Sequence, residues 1–174
     1  EYHRKVYGEQ KDFGYQNFIP LFRAEKFDAA EWIALFRDAG AGYIFPVAEH
    51  HDGFQMYRSD LSKWNAAEMG PKKDILLALK MEAERAGLHF CTSSHRAEHF
   101  FFMGHGREFD SDVKAPMKKG DFYWPAEKEP KTEDLYSKPY PEEEFLNDWL
   151  ARTAELILNY SPELLYFDWW IQHE

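Results

Sequence analysis

A single cysteine, Cys91, stands among the 174 residues. An internal disulfide and any multi-thiolate metal centre are thereby excluded. No apolar run approaches the roughly 18 residues that a membrane span needs. No glycine-rich turn follows a strand in the pattern that cradles phosphates. Positive charge is short as well: 21 Lys+Arg against 31 Asp+Glu leave a formal charge of −10. No basic stripe alternates with aromatics, so the composition speaks against a nucleic-acid partner and for a neutral substrate. A secretory leader is lacking too, but the chain opens without Met and closes just after an apolar segment. We read it as an excerpt of a longer protein, so this lack carries no information on compartment.

What is abundant is apolar and aromatic: 44% of residues are hydrophobic, with 15 Phe, 10 Tyr and 6 Trp. That suffices for one core. It falls short of a complete (β/α)8 barrel, which takes about 250 residues. Rings of this kind suit sugar faces, although each one taken singly reads first as core.

The spacing predicts alternating helices and strands. Asp28 and Glu31 form a capping-box pattern ahead of a helix whose apolar face is Trp32, Leu35, Phe36 and Ala39, closed by Gly40. A strand follows at about 42–48, with Pro46 awkward inside it because proline cannot donate to a ladder. Pro71 opens a second helix with Ile75, Leu76, Leu79 and Ala83 on its apolar face, and Gly87 ends it before a strand at 88–92. Residues 103–141 hold five of the nine prolines and no sustained period, a long loop excursion of the sort that is often functional. Acidic residues after Pro141 start a third helix bearing Phe145, Trp149, Leu156 and Tyr160, and a last strand occupies 164–167.

This alternation implies a parallel sheet with crossover helices. We expect a single α/β domain over 1–174 holding about three β/α units of a TIM-like (β/α)8 barrel, incomplete at both ends. The barrel is preferred to a doubly wound sheet because polar groups crowd the C-terminal end of every strand.

Those strand ends hold the candidate chemistry. The first runs into Glu49, His50, His51 and Asp52, the second into Ser93, Ser94, His95 and Arg96, and the third into Asp168. Adjacent histidines on a regular strand face opposite sides, so His50 and His51 share a site only where the strand breaks. Asp168, set between Tyr166-Phe167 and Trp169-Trp170, must be paired, hydrogen-bonded or protonated if buried. It is placed to act as a nucleophile or acid–base group, with helix capping as the bland alternative. The run His95-Arg96-Ala97-Glu98-His99 also matches the H-x-x-E-H pattern of inverted zinc peptidases, which requires both histidines on one helix face.

Taken together, three segments resemble the α-L-fucosidases of glycoside hydrolase family 29. They are Phe22–Phe27 with Asp28, Glu31-Trp32 and Phe36–Ala41; then His50–Phe54 continuing to Ser59, Trp64-Asn65, Gly70-Pro71 and Asp74; and finally Tyr166-Phe167-Asp168. The resemblance implies removal of α-linked L-fucose from fucosylated glycans with retention of configuration, and no metal or other cofactor. It implies that Asp168 is the nucleophile and that His50 and His51 hold sugar hydroxyls. The general acid/base would lie after the nucleophile, outside this chain, and an extracellular, periplasmic or lysosomal setting would be expected. Where many members carry a tyrosine pair this chain has Ser93-Ser94, so His95 or Arg96 is expected to fill that space, with His95 reaching substrate. Two other readings stand beside it: a zinc-dependent hydrolase using His95, Glu98 and His99, and a non-catalytic glycan-binding fragment.

Overall fold

The computed structural model describes residues 1–128 and 141–168. The order is α1 (Tyr2–Tyr7), a 3-10 turn (Tyr15–Leu21), α2 (Ala29–Asp38), β1 (Tyr43–Ile44), β2 (Val47–Glu49), α3 (Ile75–Ala86), β3 (His89–Phe90), β4 (Thr92–Ser94), α4 (His99–Phe102), α5 (Glu143–Tyr160) and β5 (Leu165–Phe167). Each of the first two expected strands is thus two short pieces. The first breaks at Phe45-Pro46, where proline removes a ladder donor. The second breaks at Cys91 and runs on through Ser93 and Ser94, so that it opens onto His95 rather than onto the serines.

Among the described residues the named strands pair in parallel, β1 with β3 and β2-β4-β5 side by side in sequence order. The helices between consecutive strands permit this, since parallel neighbours need long crossovers. The register decides the rest. Glu49 pairs with Ser94, and Ser94 with Phe167, so the three strands end level across the sheet. An irregularity between Val47 and Glu49 brings Glu49 into that line.

The helices follow from their caps and faces. Asp28 accepts a hydrogen bond from the Glu31 amide at 3.0 Å, and Asp74 from the Leu77 amide at 2.9 Å. The second helix therefore begins at Ile75 under Asp74, not at Pro71. Its expected apolar residues are all buried, and Gly87 closes it in the left-handed conformation. Asp74 also accepts from the Tyr160 hydroxyl at 2.6 Å, tying the start of α3 to the end of α5. α2 departs from expectation: Ile33 is its buried residue, while Trp32, Leu35 and Phe36 are exposed. α2 packs against α3.

The main core gathers Ile33, Ile44, Ala48, Tyr57, Leu76 and Leu156 among others, and a smaller cluster joins Phe100 and Phe101 of α4 to Phe145 of α5. The expected loop 103–141 holds a 3-10 turn at Gly104–Arg107 and otherwise irregular backbone up to residue 128; its remainder to 140 lies outside the described residues. Among the described residues no helix is long and apolar enough to cross a membrane.

Candidate active site

Because the strands end level, the next residue of each emerges at the same place: His50 after β2, His95 after β4 and Asp168 after β5. The amide of His95 donates to the carbonyl of Glu49 at 2.8 Å, carrying the ladder one step past the strands. The first strand does break after Glu49, and the two histidines share a side. The His50 and His51 ring centres are 4.0 Å apart, and His50 stacks on His95 at 4.4 Å with 21° between planes. His50 is exposed, whereas His51 and His95 are mostly covered.

His95 is held on both sides. Its Nδ1 lies 3.1 Å from Asp168 Oδ2, and its Nε2 is 3.1 Å from Ser93 Oγ. A carboxylate on Nδ1 favours the proton there, which leaves Nε2 to accept from the serine hydroxyl. Tyr166 adds a hydrogen bond to Asp168 Oδ1 at 3.3 Å. Its other expected neighbours, Trp169 and Trp170, lie outside the described residues. His51 Nε2 meets Glu98 Oε2 at 2.6 Å, off the direction of an ordinary ring N–H bond.

Beneath this cluster lies an ionic floor. Glu49, at the end of β2, is 3.0 Å from Arg152 and 3.6 Å from Arg96. Both guanidiniums reach Asp148 at 2.8 Å. All four residues are buried. Two positive and two negative groups balance, which is the condition for keeping such charge out of water. Arg96 therefore serves neighbouring carboxylates. Asp148 and Arg152 were not anticipated from sequence. Their i,i+4 spacing on one helix is the signal that could have found them.

Burial sets the proton affinities. His51 is pushed down to about 4 by burial and by the neighbouring His50 and His95. His95 is lowered by burial and by His50, against the pull of Asp168. Glu98 is pushed up to about 7 by burial and by the negative charge of Asp168. Glu49 is raised by burial, with Arg152 and Arg96 opposing. At neutral pH both rings, their proton affinities lowered, are uncharged.

The zinc-peptidase pattern does not assemble. His99 is fully buried, and its Nδ1 donates to the carbonyl of His51 at 2.7 Å. Residues 96–98 form a 3-10 turn before the single turn of α4, so no continuous helix aligns the two histidines. Gly53 allows the chain to close over this region: its φ is +74°, and a Cβ there would sit 2.9 Å from an Arg96 guanidinium nitrogen.

The family model described as Alpha-L-fucosidase matches residues 1–174. Plasma alpha-L-fucosidase of Homo sapiens is 28% identical over 159 residues, which are 90% of this chain and 28% of that protein. Its Rattus norvegicus counterpart is 40% identical over 158 residues, with the same two shares. The Thermotoga maritima alpha-fucosidase structure in complex with a mechanism-based inhibitor superposes with a TM-score of 0.71 at 30% identity, covering 96% of this chain and 34% of that one. The structure of that enzyme with fucose gives 0.69 at the same identity. The chain thus spans under a third of the length of the curated relatives it matches.

Proposed function

The chain belongs to the α-L-fucosidase family, and from that premise we propose that the protein hydrolyses α-L-fucosidic bonds in fucosylated glycans by a retaining double displacement. Its 174 residues act as part of one catalytic domain, supplying about three β/α units of a (β/α)8 barrel. The in-order parallel arrangement β2-β4-β5 supports that placement. Relatives named for plasma and tissue are in keeping with an extracellular or lysosomal setting.

One observation carries the mechanism: the level strand ends set Asp168 beside the imidazoles of His51 and His95, with His50 stacked on His95. Asp168 attacks the anomeric carbon as the glycosidic oxygen leaves with a proton from a second carboxyl group, and water later releases fucose from the resulting ester. His50, His51 and His95 hold the sugar hydroxyls. The neutral state of His51 and His95 lets each donate or accept toward those hydroxyls without drawing charge from Asp168. Glu98 has a raised proton affinity near Asp168, but its closest contact is His51. We assign it to holding that ring and keep the acid/base outside this chain.

Replacing Asp168 with Ala in the intact protein is expected to lower aryl α-L-fucoside turnover by a factor on the order of 10⁴, with the circular dichroism unchanged. Near-normal turnover would remove Asp168 from this role. A native protein that binds fucosylated glycans without any turnover would instead favour the glycan-binding reading.

A further inference from the structure

Two members of the His95–His99 pattern meet a partner other than the one the pattern names. His51, His95, Glu98 and Asp168 come from three strand ends, and the ligand-type atoms they offer all lie within 4.8 Å of one another. Nδ1 of His95, Nε2 of His51 and Oε1 of Glu98 are buried without an aligned hydrogen-bond partner. The His95 and Glu98 side chains retain only 10% and 6% of their exposure. Polar atoms in that state raise the free energy of the empty site, so an occupant that satisfies them is favoured.

The donor set narrows the occupant. Two imidazoles and two carboxylates form an N2O2 set with two negative charges, complementary to a divalent ion of borderline softness. In tetrahedral zinc sites, bonds of about 2.0–2.2 Å place ligand atoms roughly 3.4 Å apart. Shifts of about an ångström by side chains on loops just past the strands would close the tetrad. Ser93 completes the support, because its hydroxyl can accept from Nε2–H of His95 once Nδ1 turns to the metal.

We propose that His51, His95, Glu98 and Asp168 form a Zn²⁺ site, and that the bound ion excludes the sugar by occupying the carboxylate of Asp168. The site is inhibitory, unlike the His95/Glu98/His99 centre of a zinc hydrolase, and only its effect on turnover rests on the fucosidase reading. Zinc binding to the intact protein is measured by competition with a chromophoric chelator. One ion per chain is expected, with affinity reduced at least about tenfold in both His95→Ala and the near-isosteric Asp168→Asn, and unchanged in His89→Ala, which alters an exposed histidine. Zinc should also raise the apparent KM for an aryl fucoside and leave kcat unaltered. No stoichiometric zinc, or equal affinity in native protein and both site variants, would overturn the proposal. So would inhibition that does not yield to added substrate. If the native protein turns over no fucoside, the fucosidase reading fails, and stoichiometry with the variants still decides the metal site.

Discussion

Replacing Arg152 with Met tests the ionic floor under the histidines. Arg152 lies 3.0 Å from Glu49 and 2.8 Å from Asp148, and Glu49 is only 1% exposed. At an effective dielectric of about 20, charges at such a distance attract by roughly 5 kcal/mol before desolvation is counted. Methionine keeps much of the buried stem and removes the charge, leaving one guanidinium, Arg96, for two carboxylates. Arg96 stays 3.6 Å from Glu49 and offsets part of the loss, so the expected destabilisation is about 3 kcal/mol, the lower end for breaking a buried pair. The penalty should grow as pH rises. Burial already lifts the proton affinity of Glu49, and losing Arg152 lifts it further; stability present when Glu49 is protonated is lost as it ionises. Glu49→Gln in the Arg152→Met background leaves Arg96 with Asp148, a balanced pair, and should recover most of the loss. Urea unfolding of the native, single and double variants completes the cycle. A single-variant cost below about 1 kcal/mol, or a double variant weaker than the single, would refute the view that charge balance holds this floor.

Glu98→Gln isolates the titration of Glu98. Since its folded proton affinity is raised from 4.5 to about 7, its contribution to stability is present at low pH and lost as pH rises through that window. The variant should therefore gain on the native protein between about pH 5 and 8, read as the difference in Tm; a difference independent of pH contradicts the assignment. In turnover, Glu98→Gln should act mainly through KM, and azide should fail to restore it, whereas an acid/base residue would be rescued. Gly53→Ala should lower stability by about 1–2 kcal/mol from the left-handed backbone alone. Contact of the new Cβ with Arg96 and His99 adds to this, and thermal unfolding reads the sum.

The candidate site was legible in the sequence where chemistry coincides with local pattern. Polar residues at the ends of apolar segments marked His50, His51, His95 and Asp168, and the buried face of α3 followed from its 3.6-residue period. The α2 face was misjudged because periodicity reports that a stripe is apolar, not what covers it. The zinc pattern at His95–His99 stayed an open alternative in the sequence for a related reason: a five-residue pattern assumes a continuous helix, and the chain breaks into a 3-10 turn.

Composition and local spacing were enough to determine an alternating α/β chain, the strand ends that carry ionisable groups, and the exclusion of a disulfide or multi-thiolate metal centre within these 174 residues. Propensity, capping and turn residues act over a few neighbours, so they survive in one dimension. Only tertiary structure decided that β2, β4 and β5 end level, that His95 lies between Ser93 and Asp168, and that His51 rather than His99 meets Glu98. It alone joined Glu49 to Arg152, 103 residues away, in a buried network. Sheet register and burial are properties of distant segments brought together, and the proton affinities that define this site come from that burial.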